Sequence, residues 1–202
     1  MIKAIFTIQG KSPLEKKCKR ILSKRILAFV FISLMIIGFP ISYSYGDEDG
    51  KVKWGFSILA GTHTKSKPDL ILLAILPRLG LSMHKNWDLE LEGNFSYYSI
   101  QDEKDLYLLG THANILFKPI RWGKGTFFLI GGGGFAYNNN NGKVKEIGDS
   151  HIAGIIHGGA GIDFIVGKGW ALRGEYRLIH ISDPLKGDLG INTHNFILGV
   201  SF

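Results

Sequence analysis

Beyond residue 46 the chain has no cysteine, since the only one, Cys18, lies near the N-terminus. That stretch can form no disulfide and offers neither a thiol nucleophile nor a cysteine metal site. It lacks net charge as well. Residues 47 to 202 carry sixteen Lys and Arg against sixteen Asp and Glu, so the formal charge of +7 comes entirely from residues 1 to 46, which hold eight basic side chains and one acid, Glu15. A charge of this sign would otherwise raise nucleic acid as a partner, and its confinement to one end removes that reading. No internal repeat longer than a hairpin and no second domain can be discerned in the 202 residues.

The basic segment runs into an apolar stretch, Ile26 to Ile41, with Pro40 near its end, then into Ser44 and Gly46 ahead of an acidic Asp-Glu-Asp. A basic region, an apolar core and a small-residue exit predict a secretory signal peptide over residues 1–46 with cleavage after Gly46. The basic region is long for such a leader, which fits a start codon downstream of Met1. A retained inner-membrane anchor is the alternative, because an apolar stretch of 16 residues approaches the lower limit for spanning a bilayer.

Most segments after the leader read in twos. Trp87, Leu89, Leu91, Gly93, Phe95 and Tyr97 alternate with Asp88, Glu90, Glu92, Asn94 and Ser96, the period of a strand whose faces differ. The same rhythm holds for Trp54 to Ala60, for Tyr107 to Phe117 with His112 and Asn114 on its other face, and for Trp170 to Leu178. Ile152 to Phe164 is read likewise, with His151, His157 and Asp163 on the inner face. Residues 70–84 alternate poorly and contain Pro77, so a bulge or an irregular segment is expected there. Counting the segment through Gly131 to Gly134 as a strand, eight segments emerge. Short turns at 84–86, 118–125 and 166–169 alternate with longer polar loops at 62–69, 99–105, 138–149 and 183–190.

The four consecutive glycines lack the Lys-Ser/Thr pair and following helix of a phosphate loop. They are read as places where a wall curves and packs closely. A soluble sandwich would hide the apolar faces and wet the charged ones. Aromatic residues at both ends of the apolar rows, charged opposite faces and a chain ending on Phe202 instead predict an eight-stranded antiparallel transmembrane β-barrel of the outer membrane, residues 47–202, with apolar faces to lipid and charges paired inside. An even strand number puts both termini on the periplasmic side, and the 183–190 loop outside. An interior filled by side chains disfavours a pore.

Carried to its outer end, the parity of the last hairpin turns His180 and Ser182 on one strand, and Asn192 and His194 on the other, toward lipid. Polar groups there are costly, and four together suggest a site. A serine beside an imidazole is the minimum for acyl transfer and needs a third group to hold the ring. Asn192, His194 and Asp183 compete for that position. Asn192 lies on the right face next to the loop, His194 is one pleat further away, and Asp183 follows Ser182 with opposite parity. The remaining histidines, His84, His112, His151 and His157, are read as hydrogen-bonding groups inside the barrel or in turns rather than as metal ligands, and no metal or cofactor is expected.

The segment EYRLIHISDPLKGDLGINTHNFILGVSF, residues 175–202, resembles the lipid A 3-O-deacylases of the PagL type, the acyloxyacyl hydrolases. Their pattern is a strand ending in His-x-Ser-Asn, a loop, then Gly-Ile/Val and an acidic residue opening the final strand. The resemblance implies an eight-stranded outer-membrane barrel, a triad on its lipid-facing surface, Ser182 as nucleophile and His180 as general base. It departs from the pattern twice: Asn192 stands where the acid would be, and Asp183 where asparagine would follow the serine. An amide oxygen can orient an imidazole but adds no charge behind it, and a carboxylate beside a developing oxyanion repels it unless turned away. The expected activity is removal of an ester-linked 3-hydroxyacyl chain from lipid A of lipopolysaccharide. The alternative is a non-enzymatic small barrel, structural or adhesive. The expected partners are lipid A, outer-membrane lipids and, through the terminal Phe202, the barrel-assembly machinery; a homodimer is a further option, and nucleic acid is not expected.

Overall fold

The computed structural model describes residues 52–64, 70–100, 105–139, 150–183 and 190–202. The leader of the sequence reading lies outside them, as does most of each longer loop. Eight strands, β1 (Val52–His63), β2 (Leu70–His84), β3 (Trp87–Ile100), β4 (Leu106–Trp122), β5 (Gly125–Asn138), β6 (Ile152–Gly167), β7 (Trp170–Ser182) and β8 (Ile191–Ser201), pair in sequence order and close into a barrel. Closure is antiparallel, β8 against β1, and the two main-chain bonds between Phe202 and Trp54 carry the seam past the end of β8.

Register gives the shape. Starting at Trp87 and stepping through Phe117, Leu129, Ala160, Tyr176, Phe196, Ala60 and Leu73, the ladder returns to β3 at Tyr97, ten residues further on. Eight strands with that stagger tilt by about 40° from the barrel axis. Trp87 and Tyr97 are then about 25 Å apart in height, the thickness of an outer-membrane apolar band. All four tryptophans, Trp54, Trp87, Trp122 and Trp170, are exposed at the short-turn end, and Tyr107 and Tyr137 at the other. Between them the outer wall is leucine, isoleucine and phenylalanine, including Leu91 at 53%, Ile156 at 62% and Leu198 at 65% exposure, a surface made for lipid rather than water.

The lumen has two halves. Toward the short turns it is an ionic lattice. The Arg177 guanidinium donates to both oxygens of Glu92 at 2.8 and 2.9 Å and also to Glu175. Arg173 donates to both oxygens of Asp163 at 2.7 and 3.1 Å and to Glu90 at 2.9 Å, and Lys118 pairs with Asp88. A Cβ at Gly159 would stand 2.1 Å from Tyr176 O and 3.1 Å from Arg177 Cγ, so the missing side chain lets β6 lie close against β7 beside the arginine. Toward the loops the inward positions are mostly apolar: Leu70, Leu72 and Leu76 of β2, Tyr98, Leu106, Leu108, Ile155, Ile179, Ile181 and Ile191 form one buried cluster, with Asn138, Asp183 and Thr193 buried among these inward positions. Side chains fill both halves, as expected for eight strands. Reconstituted into planar bilayers the protein is therefore expected to give no stable channel steps; regular unitary conductance would contradict this packing.

Several local expectations change. β2 runs unbroken past Pro77, whose ring sits against Gly93, where a Cβ would be 3.0 Å from Pro77 Cγ. The ladder with β3 lapses at Leu76 and Pro77, the irregular segment expected of the proline, and resumes in the same register without a bulge. The register shifts fall at Ser82/His84, Phe117/Ile120 and Ile165/Gly167, all beside short turns. The 118–125 turn tightens to Gly123 and Lys124, because β4 continues to Trp122 and Gly123 supplies a φ of 47°. His151 is not inward: it is exposed just before β6, stacked on Tyr137 at 5.6 Å.

Candidate active site

The β7–β8 hairpin alternates as a lipid-facing wall must. Ile179, Ile181, Ile191 and Thr193 are buried against the apolar half of the lumen, while His180, Ser182, Asn192 and His194 lie half-exposed or exposed on the outside. The packed isoleucines behind these polar residues hold their backbone in place. Register sets His180 directly opposite Asn192 on β8 and beside Ile156 on β6, and sets Ser182 beside Gly154. The flank of Ser182 toward β6 thus carries no side chain.

The imidazole of His180 donates from Nδ1 to the amide oxygen of Asn192 at 2.8 Å. Because a carbonyl oxygen can only accept, Nδ1 carries the proton and Nε2 is left with its lone pair, the form a general base requires. Gly190, with φ at 65°, passes so close to this ring that a Cβ would meet Cε1 at 2.6 Å and Nε2 at 2.9 Å. Any side chain there would displace the His180 imidazole, so Gly190 is part of the candidate site; its sequence signal was the Gly-Ile-Asn triplet opening β8.

Depth follows from the same tilt. Tyr176 lies half-way round the register from Trp87 to Tyr97. Ser182, six residues further up β7, stands within about 3 Å of the height of Tyr97. The hydroxyl is at the outer edge of the apolar band, where the acyl chains of an outer-leaflet lipid join their headgroup.

The other candidates for the third position go elsewhere. His194 is turned to Tyr176, with Nδ1 and the tyrosine hydroxyl 2.5 Å apart and the rings stacked at 6.1 Å. Asp183 is 1% exposed and continues the inward parity, away from the outer face that holds Ser182. His112 and His157 are inside, 5.3 Å apart, His112 contacting Glu92 at 3.2 Å. The Tyr176–His194 pair was not foreseen, because it joins residues diagonal in the ladder rather than opposite one another.

The family model of the outer membrane protein beta-barrel domain matches residues 35–202. The chain belongs to this family. It is an outer-membrane barrel. No curated protein matches its sequence. Among solved structures it is similar to the outer membrane enzyme PagL, at 17% identity and a TM-score of 0.51, covering 73% of this chain and 98% of that one. It is also similar in fold to Neisserial surface protein A, at 11% identity and a TM-score of 0.55, covering 76% of this chain and 98% of that one. At such identities the likeness is one of fold. What distinguishes this barrel among its relatives must be read from its own lipid-facing polar residues. Among the described residues there is no group of three or more His, Cys, Asp or Glu side chains arranged to hold a metal.

Proposed function

We propose that this outer-membrane barrel is a serine esterase that removes an ester-linked 3-hydroxyacyl chain from lipid A. The observation that carries the reading is the His180–Asn192 hydrogen bond, which fixes the basic tautomer of an imidazole two residues from a serine on the lipid-facing wall. Polar side chains there are costly to the barrel, and a substrate that lies in the outer leaflet gives them a use.

In this mechanism Ser182 Oγ attacks the ester carbonyl carbon while its proton passes to Nε2 of His180. The tetrahedral intermediate collapses with loss of the sugar oxygen, which takes that proton. Water then attacks the acyl-serine, again giving a proton to Nε2, and the proton returns to Ser182 as the 3-hydroxy acid leaves. Asn192 keeps Nδ1 protonated and the ring in place throughout. It cannot neutralise the imidazolium as a carboxylate would, so its contribution is orientation.

Asn192→Leu is expected to lower the ester hydrolysis rate by about 10²-fold or more, judged against the roughly 10⁴-fold loss when the aspartate of a serine-protease triad is replaced. Asn192→Glu should keep or raise the rate by restoring charge behind the ring. If Asn192→Leu is silent while Asp183→Ala is not, the triad runs through Asp183. The reading as a whole is tested by incubating the detergent-solubilised protein with lipid A and looking by mass spectrometry for loss of one hydroxyacyl group. Intact lipid A after prolonged incubation would favour a non-enzymatic barrel.

A further inference from the structure

The three short turns share one construction. Each is made of two residues, Lys85 with Asn86, Gly123 with Lys124 and Lys168 with Gly169, so each holds one exposed lysine. Each is also bounded by an exposed tryptophan two residues from that lysine: Trp87, Trp122 and Trp170. In two of the turns glycine supplies the positive φ that a tight hairpin needs, 47° at Gly123 and 86° at Gly169. Turn geometry thus makes no demand for lysine. Because the strands pair in sequence order around the barrel, the three turns fall on successive quarters of the rim, and Trp54 stands by the β1–β8 seam on the fourth.

The indoles are held in place, and the charge beside them has one sign. Side chains at Gly125 and Gly167 would collide with the rings of Trp122 and Trp170, so each of these indoles lies across its turn onto the neighbouring strand. Arg121 donates to the main-chain oxygen of Lys85 and ties the first turn to the second. Lys85, Arg121, Lys124 and Lys168 are all exposed, whereas the acids of this end, Asp88, Glu90 and Asp163, are buried in the lumen. Among the described residues no exposed Asp or Glu lies at this rim, and none of the three turn lysines meets a carboxylate. Tryptophan settles at the headgroup level of a bilayer, and a lysine beside it extends its stem to carry the ammonium among the phosphates. An anionic lipid surface attracts each such cation. Water would reward neither the indoles nor their constant spacing from the lysines.

We propose that the short-turn rim binds the headgroups of anionic glycerophospholipid in the periplasmic leaflet. Each Lys–Trp turn takes one phosphate on its ammonium, while the indole packs against the glycerol and the first carbons of the chains. The binding is independent of the esterase reading, since Ser182 stands at the opposite edge of the apolar band and shares no residue with this rim.

Tryptophan fluorescence tests this directly, because all four tryptophans of the protein lie on this rim. The full-length protein is reconstituted into phosphatidylcholine vesicles containing a small fraction of either phosphatidylglycerol or phosphatidylcholine, brominated close to the glycerol. Quenching by the bromines gives the relative affinity of the two lipids for the rim. The wild type is expected to prefer the anionic lipid about fivefold at low salt. That preference should fade in about 0.5 M salt, where screening shortens the reach of the lysines. The triple variant Lys85→Gln/Lys124→Gln/Lys168→Gln should bring the ratio below about twofold, the remainder being due to Arg121. Lys85→Arg/Lys124→Arg/Lys168→Arg, which keeps the charge, should keep the preference. All three positions are exposed, and heat-modifiable migration verifies that each variant forms its barrel. Equal quenching by the two lipids in the wild type at low salt overturns the proposal, and so does a preference that survives the triple glutamine variant.

Discussion

Ser182→Ala is expected to lower ester hydrolysis by at least about 10⁴-fold, the scale of loss when a serine nucleophile is removed from a triad whose members act as a unit. The barrel should be unaffected. Ser182 is the last residue of β7, half-exposed, and its β6 neighbour is Gly154, so the substitution removes one hydroxyl without opening a cavity or stranding a partner among the packed residues. Rates measured on lipid A, with heat-modifiable migration as the control for folding, separate the two effects. A rate within tenfold of the wild type would show that the hydrolytic reading is wrong at its centre. His180→Ala should match Ser182→Ala, and combining the two should add little, since base and nucleophile are worth nothing apart.

Much of this site was legible because a strand has a period of two. Once Phe202 and Trp170 are placed on the outer face, His180, Ser182, Asn192 and His194 must follow, and the only further requirement for the His180–Asn192 contact is the pairing of β7 with β8. The poor alternation of residues 70–84 was a signal of a different kind. Ile71 and Leu73 face lipid, at 62% and 51% exposure, while Leu70, Leu72 and Leu76 face the apolar half of the lumen. A strand wet on neither side therefore reads as an unbroken apolar run. Pro77 interrupts the ladder with β3 as its missing donor requires, but the ring is accommodated by Gly93, a residue on the neighbouring strand that no local reading connects to it.

What stayed hidden depends on barrel closure and on side-chain lean. The Arg177–Glu92 pair joins residues 85 apart in sequence across the lumen, and only the shear of the closed sheet brings β3 and β7 face to face. The Tyr176–His194 contact requires a tyrosine to lean along its strand toward the loop, a diagonal that alternation cannot express. Gly190 was visible as a residue but not as a constraint, because its closeness to His180 appears only once the loop returns beside the ring.

Arg177→Met is expected to destabilise the barrel by about 3 to 5 kcal/mol, the usual consequence of removing one partner from a buried ion pair. Arg177 and Glu92 are both 0% exposed, and the guanidinium serves Glu92 through two bonds and Glu175 through a third. Without it two buried carboxylates lose every hydrogen bond from a guanidinium, and Glu92 keeps only the contact with His112 at 3.2 Å. Glu92→Gln should cost far less, because it leaves one carboxylate, Glu175, against one guanidinium, and the amide can still accept from Arg177. The double variant Arg177→Met/Glu92→Gln should then be more stable than Arg177→Met alone, since it removes one of the two stranded charges. Urea titrations of the three variants in detergent or lipid, followed by tryptophan fluorescence, give the order directly. Equal losses for Arg177→Met and Glu92→Gln would mean that the lattice acts through shape rather than through charge balance, and that the isoleucine and leucine packing at the loop end carries the lumen on its own.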